Sequence, residues 1–129
     1  TPLTLFVSVK GGQAIRDGNG LGIIGHGSPR VEPGEALAIR FQSDVLIESI
    51  GISAGTAGSC GGSYRMGNRA PLAIYCTDAD QDAKDQTGII SDLGILKKGE
   101  MLVLDPKPHF GVESPGSWKL QSLVVRPLP

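Results

Sequence analysis

Apolar and polar residues alternate along short stretches of the chain. Leu3, Leu5, Val7 and Val9 share one parity with Thr4 and Ser8 on the other, and Leu37, Ile39 and Phe41 oppose Arg40 and Gln42 in the same way. A period of two is what a pleated strand with one buried face rewards, because successive side chains leave the backbone on opposite sides. Each stretch is bounded by glycine, proline or aspartate, and the whole chain carries 19 glycines and 9 prolines, so many turns are implied. The pattern predicts strands over Leu3–Val9, Gly20–Ile24, Ala36–Gln42, Val45–Ala54, Ser63–Met66, Leu72–Cys76, Ile89–Leu93, Met101–Leu104 and Trp118–Arg126. In the last of these the apolar parity changes between Leu120 and Leu123, which a bulge near Ser122 absorbs. Ser43-Asp44 reads as a two-residue hairpin connection, and Lys97-Lys98-Gly99-Glu100 as the turn into Met101–Leu104, so the flanking strands are expected to pair antiparallel. No long helix, internal repeat or linker is expected. The predicted fold is an all-β antiparallel sandwich of jelly-roll type, with roughly eight or nine short strands, in one domain spanning residues 1–129.

Composition narrows the function classes. Twelve basic and 13 acidic residues leave a net charge of −1, so nothing draws the chain toward phosphate backbones or anionic lipid, and nucleic acid is not an expected partner. Apolar runs fall far short of the roughly 20 residues a helix needs to cross a bilayer. The chain opens on Thr1, which reads as a processed product or an excised domain. Cys60 and Cys76 form an even pair; a disulfide between them implies export, and the alternative is two buried thiols.

Three motifs carry possible chemistry. Gly20-Leu21-Gly22-Ile23-Ile24-Gly25 has dinucleotide-binding spacing, but His26-Gly27-Ser28-Pro29 follows where a phosphate-binding helix would open. Gly51-Ile52-Ser53-Ala54-Gly55 has the spacing of a nucleophile elbow, again with no helix after it and no acidic orienter for His109. Asp78-Ala79-Asp80-Gln81-Asp82 starts like a calcium loop, in which a hard cation gathers oxygens from alternate residues. Ala83 and Ile89 replace the glycine and glutamate such a loop needs, so the reading is an irregular calcium site of Asp78, Asp80, Asp82 and Asp85, against a solvated acidic loop. Tyr64 beside Arg65 is the best exposed pair for stacking and gripping a sugar, while Trp118 is expected in the core.

Gly20-Leu21-Gly22 followed by Pro33–Phe41, and the ending Trp118–Pro129, resemble bacterial surface proteins sorted by a C-terminal Pro-Glu-Pro signal, the PEP-CTERM class handled by exosortases. The signal, its membrane helix and its basic tail do not occur in the sequence. The resemblance implies secretion and a sandwich fold, with no catalytic residues to carry over. The expectation is a non-catalytic subunit of an extracellular filament, sheath or matrix layer. Its partners would be copies of itself, with Leu3–Val9 as a donor strand for exchange. The alternative is a carbohydrate-binding module, with polysaccharide as its ligand and calcium as its ion.

Overall fold

A computed structural model describes residues 3–18, 20–25, 28–55, 58–75, 78–79, 86–107 and 115–129. Within them the chain forms strands β1 (Leu5–Lys10), β2 (Gln13–Asp17), β3 (Gly20–Ile24), β4 (Ala36–Phe41), β5 (Val45–Gly55), β6 (Ser63–Met66), β7 (Leu72–Ala73), β8 (Asp78–Ala79), β9 (Gln86–Leu96), β10 (Leu102–Asp105) and β11 (Lys119–Pro127), and no helix. They build two antiparallel sheets in the order β1-β4-β10-β6-β7 and β2-β3-β11-β5-β9-β8. The fold is a β-sandwich. Eleven strands replace the expected eight or nine because β2 and the two-residue β8 carry no alternating apolar signal.

The core lies between the inner faces. Leu37, Ile39 and Phe41 of β4, Leu102 and Leu104 of β10, and Tyr64 and Met66 of β6 meet Ile23 of β3, Ile47, Ile50 and Ile52 of β5, Ile90 and Leu96 of β9, and Leu120 of β11. Trp118 is fully buried as expected, and its Nε1–H donates to the Gly61 carbonyl at 2.9 Å. In β5 the buried parity changes between Ile47 and Ile50, where the register against β9 and β11 shifts. The bulge expected near Ser122 is present, as a register shift between Leu120 and Ser122.

Both expected hairpins are absent. Ser43-Asp44 and Lys97–Glu100 are turns, but each carries the chain from one sheet to the other: β4 pairs with β1 and β10, and β5 with β11 and β9. In a sandwich the residues after a strand can bury the next apolar run across the core as readily as beside it, and local turn chemistry does not distinguish these outcomes.

Two turns share one device. In Glu32-Pro33-Gly34-Glu35 and in Lys97-Lys98-Gly99-Glu100 the fourth residue's N–H donates to the first residue's carbonyl at 2.9 Å. In each, the glutamate Oε1 accepts the first residue's N–H at 2.8 Å. The third residue is a glycine at positive φ, 95° and 82°, with open space where a Cβ would stand, so conformation rather than room requires glycine there. The two turns launch β4 and β10, which lie side by side.

Candidate association surface

Among the described residues four strands form the lateral edges of the two sheets, and three are protected. β7 and β8 have two residues each among the described residues, too short to template another strand. β2 carries Arg16 and Asp17; Asp17 is ion-paired to the buried Lys119 ammonium, and Arg16 lies on the inner face, in register with Leu21. An inward-pointing charge on an edge strand blocks further pairing. β1 has none of these features: Leu5-Phe6-Val7-Ser8-Val9 is apolar or small, and its one charge, Lys10, stands at the end.

Every residue of β1 is in register with β4 on one side, from Leu5 opposite Phe41 to Lys10 opposite Ala36, and among the described residues no strand lies on the other. The Gln42 N–H donates to the Thr4 carbonyl at 3.2 Å. In an antiparallel ladder the hydrogen-bonding direction alternates along the strand, so Phe6, Ser8 and Lys10 also point their backbone groups at β4. The N–H and C=O groups of Leu5, Val7 and Val9 therefore face the open edge. On the outer face the Arg40 guanidinium lies over the Phe6 ring, 4.6 Å from its centroid, and stiffens the pair of strands.

Beneath the edge the two sheets part. Leu5 and Val7 share the inner face with Ile39 and Phe41, yet they are 45% and 38% exposed. They line a groove of about 460 Å³ together with Ile39, Leu21, Leu120 and Leu123, and Arg16 stands on its opposite wall. Gln121, the extra residue of the bulge in β11, also lines it. Aliphatic walls under a row of open backbone groups are what a further strand needs: hydrogen bonds along its length and apolar cover for alternate side chains.

The residues singled out from sequence scatter. Tyr64 is buried at 7% exposure, on the inner face of β6 opposite Leu104, which corrects the expectation that it is exposed for sugar stacking. Burial raises its phenol pKa above the ordinary value, and the nearby Tyr75 raises it further. Arg65 is exposed on the outer face, where it lines a depression of about 480 Å³ with Asn68, Lys98, Glu100, Met101 and Val103. Asp80, Asp82 and Asp85 lie outside the described residues, as does Cys76; of Asp78 only the backbone, paired with Thr87 in β8 and β9, is described. Cys60 is half-buried against the core. His26 and His109 also lie outside the described residues. The Gly51–Gly55 stretch is continuous β5 strand, with Ser53 in register with Lys119 and Thr87 and a register shift against β9 between Ser53 and Gly55, so no strand-to-helix nucleophile elbow forms.

Sequence reasoning missed one polar network. The Arg30 Nε–H donates to Ser117 Oγ at 2.8 Å, Ser117 Oγ–H donates to Glu32 Oε1, and Ser28 Oγ–H donates to the same oxygen at 3.1 Å. It ties the segment before β4 to the segment before β11, beside the Val31–Trp118 bridge. Glu35, fully buried, anchors the same turn through Glu32 N–H. The Glu-Pro-Gly-Glu spacing is the signal that marks it.

Comparison with known protein families, with curated proteins and with solved structures returned no match. Among the described residues no helix is long and apolar enough to cross a membrane.

Proposed function

We propose that this protein is a non-catalytic structural subunit that associates with copies of itself, outside the cell, in a filament, sheath or matrix layer. The observation that supports this reading is the edge of β1, six residues of near-uncharged strand over an apolar groove that no other strand covers among the described residues, where the other three edges are short or charged. The net charge of −1 offers little repulsion between copies. Release of β1 for exchange would break a ladder that runs its full length, so addition at the free side is favoured over exchange. The resemblance to exosortase-sorted surface proteins and a Cys60–Cys76 bridge belong to the same reading, and reduction should then cost roughly 3 kcal/mol of stability. So does the jelly-roll topology, supported by the chain's repeated change of sheet, from β1 to β2, β3 to β4, β4 to β5, β5 to β6, β7 to β8, β9 to β10 and β10 to β11. Sedimentation velocity over a wide concentration range tests the function: larger species should accumulate with concentration, and a chain that stays monomeric at millimolar concentration contradicts it.

One observation favours a second reading, a carbohydrate-binding module. Arg65, Asn68, Lys98 and Glu100 gather donors and acceptors around one depression on the outer face. Polysaccharide binding lost in Arg65→Ala would favour it, as would a rise in melting temperature in millimolar calcium for the ion expected at Asp78–Asp82.

A further inference from the structure

The geometry points to one mode of association: two copies join β1 to β1 antiparallel about a two-fold axis through Val7, fusing their five-stranded sheets into one of ten strands. This rests on the self-association reading above and specifies its contact. Pairing across the free edge must join the residues that present backbone groups there, which are Leu5, Val7 and Val9. With Val7 on the axis, Val7 meets Val7 of the second copy and Leu5 meets Val9 in both directions, so all three open N–H groups and all three open carbonyls of each copy are satisfied.

Neighbouring registers do worse. With Phe6 on the axis, Val9 must pair with Leu3, which lies before β1 and is partly buried against the core, so only Leu5 and Val7 meet strand to strand. With Ser8 on the axis, Leu5 meets Gly11, a turn residue at φ 94°, and Phe6 meets Lys10. Shifts by one residue turn the apolar row of one copy against the outer row of the other. In the Val7 register each inner apolar side chain of β1 lies beside an inner apolar side chain of the second copy, which covers the exposed flanks of Leu5 and Val7. The two Lys10 residues stand at opposite ends of a contact about 20 Å long, so like charges do not meet. A contact one strand long buries less than the roughly 800 Å² per partner of a standard stable interface, so the dimer should form and dissociate with concentration. The pairing is isologous and closes on itself; β1 alone makes dimers, and growth beyond them requires a second surface.

Sedimentation velocity on the full chain and on Val7→Pro tests this. Proline removes an N–H that points to solvent in the monomer, a position edge strands tolerate, but in the dimer it deletes the two central hydrogen bonds. The association constant should fall at least tenfold with the melting temperature nearly unchanged. Should Val7→Pro lower the melting temperature, Val7→Lys, which sets two ammonium groups opposite each other on the axis, replaces it with the same expected loss. A short bifunctional maleimide should link Val7→Cys into dimers and leave Lys10→Cys unlinked. A wild-type chain that is monomeric throughout overturns both the mode and the self-association reading. Association that is unchanged by proline or lysine at position 7, together with no cross-linking of the Val7→Cys chain, overturns the mode alone.

Discussion

β1 and β4 carry the same alternation and pair residue for residue, yet they have opposite fates. Leu37, Ile39 and Phe41 are at most 2% exposed, whereas Val7 and Leu5, the register partners of Ile39 and Phe41, are 38% and 45% exposed. The difference is lateral cover. β4 has a neighbour on each side and the whole second sheet across from it, while β1 has one neighbour and faces the groove beside Arg16. Period-two patterning thus selects a strand and its inward face, and position in the sheet decides whether that face is closed. An apolar inner face left open at an edge is the kind of surface a partner can cover.

The largest effect should come from truncating the two strands at matched positions. Ile39→Ala should cost about 2–5 kcal/mol in urea unfolding, as for a large-to-small change in a closed core, and its partner Val7→Ala less than about 1 kcal/mol. Equal losses would mean that β1 is as enclosed as β4. Next, Asp17→Asn should cost about 2 kcal/mol, because it removes the counterion of the buried Lys119 while keeping the shape of the β2 edge. A neutral result would remove the pin that distinguishes β2 from β1.

The turns sharpen the comparison at the entrance to β4 and to its neighbour β10. Gly34→Ala and Gly99→Ala should each cost about 1 kcal/mol through backbone conformation alone, since a methyl group meets nothing at either site. Gly18→Ala, also in open space and without a positive φ, should be near neutral. If all three behave alike, the shared turn device is not conformational.

The smallest effect lies at high pH. Tyr64 is held neutral by burial, so its folded pKa is above the ordinary value of 10.0. Between the unfolded and folded values the unfolded chain loses a proton that the folded chain keeps, and stability therefore falls as pH rises through that window. Below the ordinary value its contribution is fully present. Tyr64→Phe should flatten this alkaline decline, and the phenolate absorbance should show one of the two tyrosines ionising late.

Much of this architecture is legible in the residues. β3 and β6 fall where alternation and turn residues place them, Trp118 is core, and the parity change in β11 marks its bulge. β2 is not legible because only Ile15 of Gln13–Asp17 is even half-buried, as befits an edge with little apolar surface to hide. The exposure of Leu5 and Val7 is not readable either: lateral cover is set by which distant strands become neighbours, and the inward Arg16 belongs to the strand that carries no signal. Tyr64 misleads for a related reason, since the polar residues around it, Ser63 and Arg65, occupy the opposite face of the same short strand.

Amide hydrogen exchange followed by NMR at low and high protein concentration tests the central claim most directly. Phe6, Ser8 and Lys10 should be protected at both concentrations, Leu5, Val7 and Val9 should exchange freely when dilute and gain protection when concentrated, and β2 should not change. Protection of Leu5, Val7 and Val9 that is independent of concentration, or a gain confined to β2, would contradict it.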